Sequence, residues 1–275
     1  MFQIHLKNKV LDLTTPVIMG ILNATPDSFY GESRIQQLDF AVQKAKEMVT
    51  AGAAILDIGG QSTRPGAELV ETSIEIERVV PIIEAIHAAL PHIPISIDTY
   101  HAPVANAALD AGAEIVNDIS CGNFDPDLLD TVVTHQAGYI GMHQTGGPST
   151  MHQIVDRSDI VQEVIQYFEA KKVQFASKGL TKWIIDPGFG FSKTVQENFI
   201  LVKELKQFTK IELPILLGVS RKSSIYKTLG VDAGAALNGT TVLNTIGLLN
   251  GANILRVHDV QAAKEAITLV NQMNA

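Results

Sequence analysis

The chain has 275 residues, 46% of them hydrophobic, enough to bury a full core as one large domain or two small ones. Its formal net charge is −8 and no stretch is basic, which argues against a nucleic-acid partner. The one cysteine cannot form an internal disulfide and fits a reducing compartment. The amino-terminal residues lack the apolar segment of a signal peptide, and no apolar run is long enough to span a bilayer. We therefore expect a soluble, cytoplasmic protein.

The predicted elements begin with a short hairpin and continue with strands. Residues 2–13 precede the first long apolar run and predict a hairpin over the bottom of the following sheet. Most of the apolar runs after it are rich in β-branched residues and lack polar alternation, as parallel strands buried on both faces do. These runs span residues 17–23, 53–59, 93–98, 113–120, 138–143, 183–188, 214–220 and 252–258.

Helical patterns lie between most of these runs. Apolar positions recur at helical spacing over 37–52, which ends in glycine, and over 73–90 and 198–208. Residues 264–273 predict a closing helix. Strands that alternate with helices over about 250 residues predict an α/β fold, a (β/α)₈ TIM barrel, as a single domain over 1–275. An open doubly wound sheet is the alternative, but its G-x-G-x-x-G fingerprint is absent.

Polar residues follow the carboxyl end of nearly every predicted strand. In a (β/α)₈ barrel these ends converge on one face, where active sites lie. A single Asp or Asn there is equally well explained as a helix cap or turn residue. Caps do not require the cations at the last two strands, so the whole set favours a binding site. Its members are Asn23, Asp57, Asp98, Asn117, Asp118, His143, Asp186, Ser220, Arg221, Lys222, Arg256 and His258.

Two opposite chemical demands meet on this face. The carboxylates and amides require hydrogen-bond donors, whereas Lys222, Arg256 and His258 require an anion. A ligand with an N–H-rich heterocycle at one end and a phosphate at the other satisfies both. Loops after strands seven and eight are a frequent phosphate site in this architecture. A general base is the competing role for Asp186, and spacing alone leaves that open.

Other chemical signatures are weak. The histidines show no H-E-x-x-H pair, so a tight transition-metal site is not expected. Neither a Walker lysine loop nor a G-x-S-x-G elbow occurs. Cys121 follows the fourth strand without an adjacent base in sequence, and we interpret it as a plain small side chain.

Seven motifs from about residue 17 onward resemble those of the dihydropteroate synthase family. They are MGILNATPDSF (19–29), DIGGQSTRPG (57–66), SIDTY (96–100), NDIS (117–120), DPGFGF (186–191), SRKS (220–223) and RVHDV (256–260). The resemblance implies a (β/α)₈ barrel, usually a homodimer. It also implies a folate-pathway transferase that joins p-aminobenzoate to hydroxymethyl-dihydropterin pyrophosphate and releases pyrophosphate.

The resemblance also implies roles for individual residues. The pterin-binding residues would be Asp98, Asn117, Asp186, Lys222, Met142 and Phe191. The pyrophosphate-binding residues would be Asn23, Arg256 and His258, with Asn23 as the protein ligand of a Mg²⁺ cofactor. The p-aminobenzoate-binding residues would be Thr63, Arg64, Pro65, Phe29, Phe191, Ser220 and Lys222. The catalytic residues would be Asp98, Asp186, Lys222 and Arg64.

No side chain in the sequence obviously activates the aniline nitrogen, so we expect leaving-group departure to drive a dissociative, S_N1-like substitution. The glycines of the 59–66 loop would be hinges, and Arg64 a transient clamp that Pro65 keeps extended. Three stretches depart from the family pattern: Gln61 replaces an acid, and residues 30–33 and 142–151 differ. These departures bear on loop closure and on affinity for aminobenzoate or its sulfonamide mimics.

Three other functions compete with this hypothesis. A methyltetrahydrofolate-dependent methyltransferase domain would share the pterin acceptors but would not need the STRPG loop or the RVH pair. A Schiff-base aldolase would use Lys222 as its nucleophile. A catalytically inactive pterin-binding protein would not need Asn23, Arg64, Lys222 and His258, and all four are present.

Overall fold

Ten strands occur in the part of the chain that the computed structural model describes, which is residues 2–7, 9–24, 34–62, 69–155 and 157–273. They are β1 (Gln3–His5), β2 (Val10–Asp12), β3 (Val17–Asn23), β4 (Ile55–Gly59), β5 (Ile95–Asp98), β6 (Ile115–Asp118), β7 (Gly138–Met142), β8 (Ile184–Asp186), β9 (Leu216–Leu217) and β10 (Ile254–Val257). Each of the eight predicted runs contains one strand of the larger sheet. β3 fills its predicted run, and the other seven strands are shorter than theirs.

Strands β3 to β10 form a parallel sheet in the order β8-β7-β6-β5-β4-β3-β10-β9. The two ends of this order meet at an isolated parallel bridge between Ile185 and Ile215. There the amide of Ile185 donates to the carbonyl of Pro214 at 2.9 Å. The sheet is therefore nearly closed into a barrel, and the predicted (β/α)₈ architecture is confirmed. All strand carboxyl ends meet at one mouth.

Helices follow the strands and cover the outside of the barrel. They are α1 (Arg34–Thr50), α2 (Thr72–Ala89), α3 (Ala102–Asp110), α4 (Leu128–Thr134), α5 (Ile160–Ala176), α6 (Val195–Lys203), α7 (Ser223–Leu229), α8 (Leu237–Leu249) and α9 (Val260–Met273). The helix predicted over 198–208 is wrong as one unit, because α6 ends at Lys203 and a 3₁₀ helix spans Leu205–Ile211. The side-chain amide of Asn250 donates to the Val202 and Lys203 carbonyls and so ends the α-helix.

The hairpin of β1 and β2 closes the opposite end of the barrel. Its apolar residues Ile4, Leu6, Leu11 and Leu13 are buried in a cluster with residues near the starts of the barrel strands. Those strand residues are Met19, Ile55, Ile115, Ile140, Ile184, Leu216 and Ile254. The predicted hairpin at the barrel bottom is therefore confirmed. The described residues therefore fill this end of the barrel with apolar side chains.

The main apolar core lies between the sheet and its helices, and it includes the large buried side chains of Phe168, Phe175, Trp183 and Phe208. Among the helices of the described residues, none combines the length and the apolar character that crossing a bilayer requires.

Candidate active site

The strand ends bring one guanidinium against two carboxylates inside the barrel mouth. Nε of Arg256 donates to Oδ2 of Asp57 at 2.7 Å, and Nη2 donates to Oδ2 of Asp98 at 2.6 Å. The side-chain amide of Asn117 donates to the same Asp57 oxygen at 3.1 Å. Arg256 thus binds the acid cluster directly. Its contact with pyrophosphate stays a prediction. That contact would fall to Nη1, because Nε and Nη2 donate to the carboxylates.

Burial controls the protonation of this cluster. It raises the pKa of Asp98 to about 7, although the Arg256 charge opposes the shift. Burial alone would lower the pKa of Arg256, but Asp57 and Asp98 outweigh it and hold that pKa above its ordinary value. Oδ1 of Asp57 is buried without a hydrogen-bond partner. One oxygen of the cluster is therefore a buried acceptor without a hydrogen-bond partner.

Asp186 and Lys222 are a second pair of charged groups in the barrel mouth. Oδ1 of Asp186 accepts from the Gly188 amide at 2.8 Å, while Oδ2 lies toward Gly218, 3.7 Å from where a Cβ would stand. Burial raises the pKa of Asp186, and the charge of Lys222 opposes this. Burial also lowers the pKa of Lys222 to about 8. The Lys222 ammonium donates to the Phe189 carbonyl and lies 4.6 Å from the centre of the Phe191 ring.

The loop after β9 places Ser220 against His258. The Ser220 hydroxyl and Nδ1 of His258 lie 2.9 Å apart and share a hydrogen bond, and the hydroxyl also accepts from the His258 amide at 3.2 Å. Arg221 turns away, has a left-handed φ of 52° and forms a two-bond ion pair with Asp259. Since β9 ends at Leu217, strand alternation does not extend to Lys222, and a turn delivers this lysine instead.

A small apolar cluster flanks these polar groups. Met142 and Phe191, both predicted pterin contacts, pack there with Tyr100, Ile119 and Met151. The ring of His152 stacks on Phe191 with centroids 5.2 Å apart. The sequence reasoning missed Tyr100 and Met151, since an aromatic or methionine in a loop carries no periodic signal. A flat heterocycle would find an apolar wall on this side of the mouth.

Asn23 is the last residue of β3, at its carboxyl end. It lines a cavity of about 170 Å³ with Lys44 and apolar side chains of β3 and α1. Within the described residues, no three His, Cys, Asp or Glu side chains are grouped as metal ligands. A single amide oxygen fits Mg²⁺, which keeps several waters and accepts substrate phosphate as ligand. Asn23 would hold such an ion only together with a bound pyrophosphate.

Four predicted site residues, Phe29, Thr63, Arg64 and Pro65, lie outside the described residues, as do positions 30–33. Gln61, the departure at the loop base, is described. Its Oε1 accepts from the Val70 amide at 2.7 Å, and its Nε2 donates to the Ser62 carbonyl at 3.0 Å. The amide therefore joins the two ends of the loop, with one acceptor and one donor that a carboxylate would not both supply.

Glu75, at the start of α2, is a buried acid that sequence reasoning missed. It is 1% exposed, and neither carboxylate oxygen has a partner within hydrogen-bond geometry. Its Cγ lies 3.1 Å from where a Cβ on Gly60 would stand, so it supports the base of the 59–66 loop. Burial raises its pKa to about 7, with smaller opposing effects of the Thr99 hydroxyl and the Arg78 charge. Its exposed neighbours in sequence, including Ile74, hid this inward position.

Glu75→Gln is expected to stabilise the protein above pH 8 and to leave stability at pH 4.5 nearly unchanged. A carboxyl whose folded pKa of about 7 exceeds the ordinary 4.5 contributes stability below 4.5 that is lost as pH rises through 7. The glutamine avoids that loss, worth up to about 3 kcal/mol. Urea unfolding of both proteins at the two pH values measures it. Parallel pH profiles would show that Glu75 does not titrate in this range.

Two independent constraints exclude a side chain at position 188. Its φ is +75°, and a Cβ there would overlap the His143 carbonyl oxygen. Gly179 has a φ of +87° but open space around it, so Gly179→Ala isolates the backbone cost of about 1–2 kcal/mol. Gly188→Ala is expected to cost about 1–3 kcal/mol more and to weaken pterin binding. Equal unfolding free energies for the two variants would contradict the predicted overlap.

Comparison with known proteins identifies the family. A family model described as "Pterin binding enzyme" matches residues 19–258. The dihydropteroate synthase of Synechocystis sp. is 45% identical over 248 residues, covering 89% of this chain and 86% of that protein. The Yersinia pestis dihydropteroate synthase, solved with a sulfonamide drug, superposes with a TM-score of 0.92 at 35% identity, with 99% of each chain covered. The Xanthomonas albilineans enzyme in complex with 7,8-dihydropteroate gives a TM-score of 0.89 at 31% identity, again with 99% of each chain covered. The chain belongs to the pterin-binding enzyme family and, within it, to the dihydropteroate synthases.

Proposed function

We propose that this protein condenses p-aminobenzoate with hydroxymethyl-dihydropterin pyrophosphate and releases pyrophosphate, as a transferase of folate biosynthesis. The observation that carries the proposal is the meeting of Asp98, Asn117 and Asp186 with Lys222 and Arg256 in one barrel mouth. Acceptors and cations thus share one mouth. The product complex of the Xanthomonas relative supports the same ligand chemistry here.

Pterin recognition follows from the acceptors. The pterin ring presents adjacent N–H groups along one edge, and a carboxylate accepts two parallel N–H bonds with strong directionality. Oδ2 of Asp186 lies toward Gly218, just beyond β9, and the Asn117 amide is fixed by donating to Asp57. The apolar cluster with Met142 and Phe191 would contact the face of the ring. Exclusion of water there strengthens each hydrogen bond.

The cations would bind the leaving pyrophosphate. His258 is exposed at the end of β10, and the Arg256 edge not bound by Asp57 and Asp98 borders the same side. Together they would bind the diphosphate, with Asn23 as the protein ligand of Mg²⁺. When bound, Mg²⁺ supplies further neutralisation of the charge that develops on the leaving pyrophosphate. These residues orient the diphosphate away from the aminobenzoate side.

Departure of pyrophosphate leaves positive charge on the exocyclic carbon and the conjugated pterin ring. The carboxylates of Asp98 and Asp186 favour that charge over the neutral ground state, which is differential stabilisation of the transition state. Lys222, with its pKa lowered to about 8, lies over the Phe191 ring where aminobenzoate would enter. We therefore propose a dissociative, S_N1-like substitution. A steep dependence of rate on the basicity of substituted anilines would contradict it.

The direct test mixes the purified protein with the pterin pyrophosphate, p-aminobenzoate and Mg²⁺. Dihydropteroate and pyrophosphate should appear in equal amounts, and a sulfonamide should compete with aminobenzoate. Omission of aminobenzoate controls for simple hydrolysis. Failure to form either product would refute the function and favour the catalytically inactive pterin-binding protein. Methyl transfer from methyltetrahydrofolate, assayed in parallel, tests the methyltransferase alternative.

We also propose that the chain is a cytoplasmic homodimer. Helix α8 presents Val242, Ile246 and Leu249, which are 49%, 37% and 50% exposed, at the spacing of one helical face. An exposed apolar face of this kind is typical of a contact between subunits. Val242→Glu together with Ile246→Glu should give a monomer by sedimentation, and an unchanged mass would place the contact elsewhere.

A further inference from the structure

We propose that Lys193 is a positioning residue for the pterin pocket, because its ammonium joins the end of β7 to the loop after β8. The inference rests on the proposed function, since it concerns how the pterin contacts of that site are held. Lys193 lies two residues beyond Phe191 and six to the carboxyl side of Pro187 in the DPGFGF motif. No local periodicity or capping pattern marks it.

The ammonium is bound by three backbone carbonyls. Nζ of Lys193 donates to His143 at 3.1 Å, to Gly188 at 3.0 Å and to Phe191 at 3.1 Å. An ammonium has three donors, so the three bonds use its full capacity. Lys193 is 6% exposed, which leaves little of this arrangement to solvent. The contact therefore has the geometry of a built structural site, with one cation fixing two segments of chain.

The loop after β8 depends on such a contact because it is not regular structure. Gly188, Gly190 and Ser192 all have positive φ values, of 75°, 88° and 49°. Their alternating conformations turn successive carbonyls in different directions. The Lys193 ammonium donates to the carbonyls of Gly188 and Phe191, and the Lys222 ammonium donates to the carbonyl of Phe189. Without Lys193, the Gly188 carbonyl would lose a partner that is buried with it, at a cost comparable to a lost hydrogen bond.

The segments that Lys193 joins carry the proposed pterin contacts. Met142 directly precedes His143, and Asp186 lies two residues before Gly188. Phe191 offers its carbonyl to Lys193 while its ring lies under the Lys222 ammonium. A shift of these carbonyls would therefore displace an acceptor, an apolar wall and a cation together. Displacements of about 1 Å in such a site are enough to lower rates a hundredfold.

The charge of Lys193 also acts on Asp186. It is one of the cations that oppose the burial-driven rise in the pKa of Asp186 and so favour its carboxylate form. Burial and the neighbouring Arg157 charge lower the pKa of Lys193 itself to about 7, against the opposing effects of Asp186 and Glu163. Among the described residues, Lys193 forms no carboxylate ion pair within 4.0 Å, so the carbonyls are its main partners.

The experiment compares Lys193→Met, which removes every donor, with Lys193→Gln, which keeps two donors without the charge. Lys171→Met is the matched control, because Lys171 lies on α5, is similarly buried at 7% and donates to the Asn123 side chain instead of the loop after β8. Calorimetry with the pterin pyrophosphate and Mg²⁺ gives the dissociation constant. Steady-state kinetics give kcat and both KM values, and thermal unfolding gives stability.

Lys193→Gln should weaken pterin binding about tenfold and Lys193→Met more, by about a hundredfold, as loss of charged hydrogen bonds predicts. Lys171→Met should lower stability but leave the pterin dissociation constant within twofold of wild type. Pterin affinity in Lys193→Gln equal to wild type would overturn the inference, and so would equal weakening by Lys171→Met. If Lys193→Met does not fold, Lys193→Gln alone decides. An inactive wild-type protein would instead refute the proposed function.

Discussion

Arg256→Met is expected to destabilise this protein by about 3–5 kcal/mol at pH 8, the loss typical when one partner of a buried ion pair is removed. The guanidinium is held by Asp57 and Asp98 at 2.6–2.7 Å, and Asp57 is fully buried. Without it, the carboxylates of Asp57 and Asp98 would lose the guanidinium that they share, and among the described residues Asp57 would keep the Asn117 amide as its side-chain donor. Urea unfolding at pH 8 measures the loss directly.

The loss should be smaller at pH 5, and the sign follows from Asp98. Its pKa in the folded protein is about 7 against an ordinary value of 3.8, so the folded state favours the neutral acid. Such a group contributes stability below 3.8 that is lost as pH rises through 7. Arg256 opposes that shift, so its removal raises the pKa of Asp98 further. At pH 8 Asp98 is mostly ionised beside Arg256 in the wild type, and the variant loses that pairing. At pH 5 Asp98 is neutral in both proteins, so the variant should recover part of the lost stability.

Arg221→Met is the matched control. Arg221 also binds a carboxylate with two bonds, to Asp259, but both side chains are about a quarter exposed. A surface ion pair contributes about 0–1 kcal/mol, and water replaces the lost donor. The triple variant Arg256→Met, Asp57→Asn, Asp98→Asn should regain stability by removing the unpaired charges. Equal losses for the two arginine variants, or no recovery at pH 5, would contradict the buried-cluster interpretation.

The barrel could be predicted because its signal is local and repeated. Each strand is a short apolar run buried on both faces, and each run is separated from the next by helical spacing or by turn residues. The hairpin of β1 and β2 was predictable for a related reason: residues 2–13 form a pattern too short to build a core of their own. Ile4 and Leu11, buried against the barrel floor, account for that pattern.

The interior pairing could not be predicted, because its partners are far apart in sequence. Arg256 and Asp57 are separated by 199 positions, and no periodicity relates them. The sequence placed both residues at strand ends but assigned Arg256 to the pyrophosphate and gave Asp57 no role. Asn250 illustrates the same point for the fold, since it ends α6 from 47 positions away. Such contacts depend on the closure of the barrel rather than on any local pattern.

The sequence pattern also did not single out individual buried charged residues. Lys193 and Glu75 stand in segments whose composition is ordinary for a loop and an amphipathic helix. Lys193 follows residues with left-handed φ, and Glu75 packs against Gly60, so both positions depend on contacts that local composition does not show. Resemblance to a family supplied roles for strand-end residues, but it supplied no reason for the positions beneath them. The roles of such residues follow from their burial and hydrogen bonds in the folded protein.

Asp186→Asn is expected to weaken binding of the pterin pyrophosphate by about 1.5–3 kcal/mol, the contribution of a charged hydrogen bond. Asparagine can keep the bond that Oδ1 accepts from the Gly188 amide, so the loop should persist. It replaces the other carboxylate oxygen by an amide nitrogen, which cannot accept an N–H bond from the pterin edge. Calorimetry should show a dissociation constant about tenfold to a hundredfold higher.

Asp118→Asn separates this effect from the general cost of altering a buried acid. Asp118 also ends a barrel strand, but its oxygens accept from the Ser120 and Gly122 amides and the Tyr139 hydroxyl, at 2.6–2.7 Å. Asp118 is fully buried and both of its oxygens already accept hydrogen bonds from the protein, so the variant should lose stability and keep pterin affinity. Aminobenzoate binding, measured with pyrophosphate present, should be nearly unchanged in Asp186→Asn, because the aniline enters beside Lys222. If Asp186→Asn weakened both substrates equally, Asp186 would support the mouth as a whole and would not be the acceptor that selects the pterin ring.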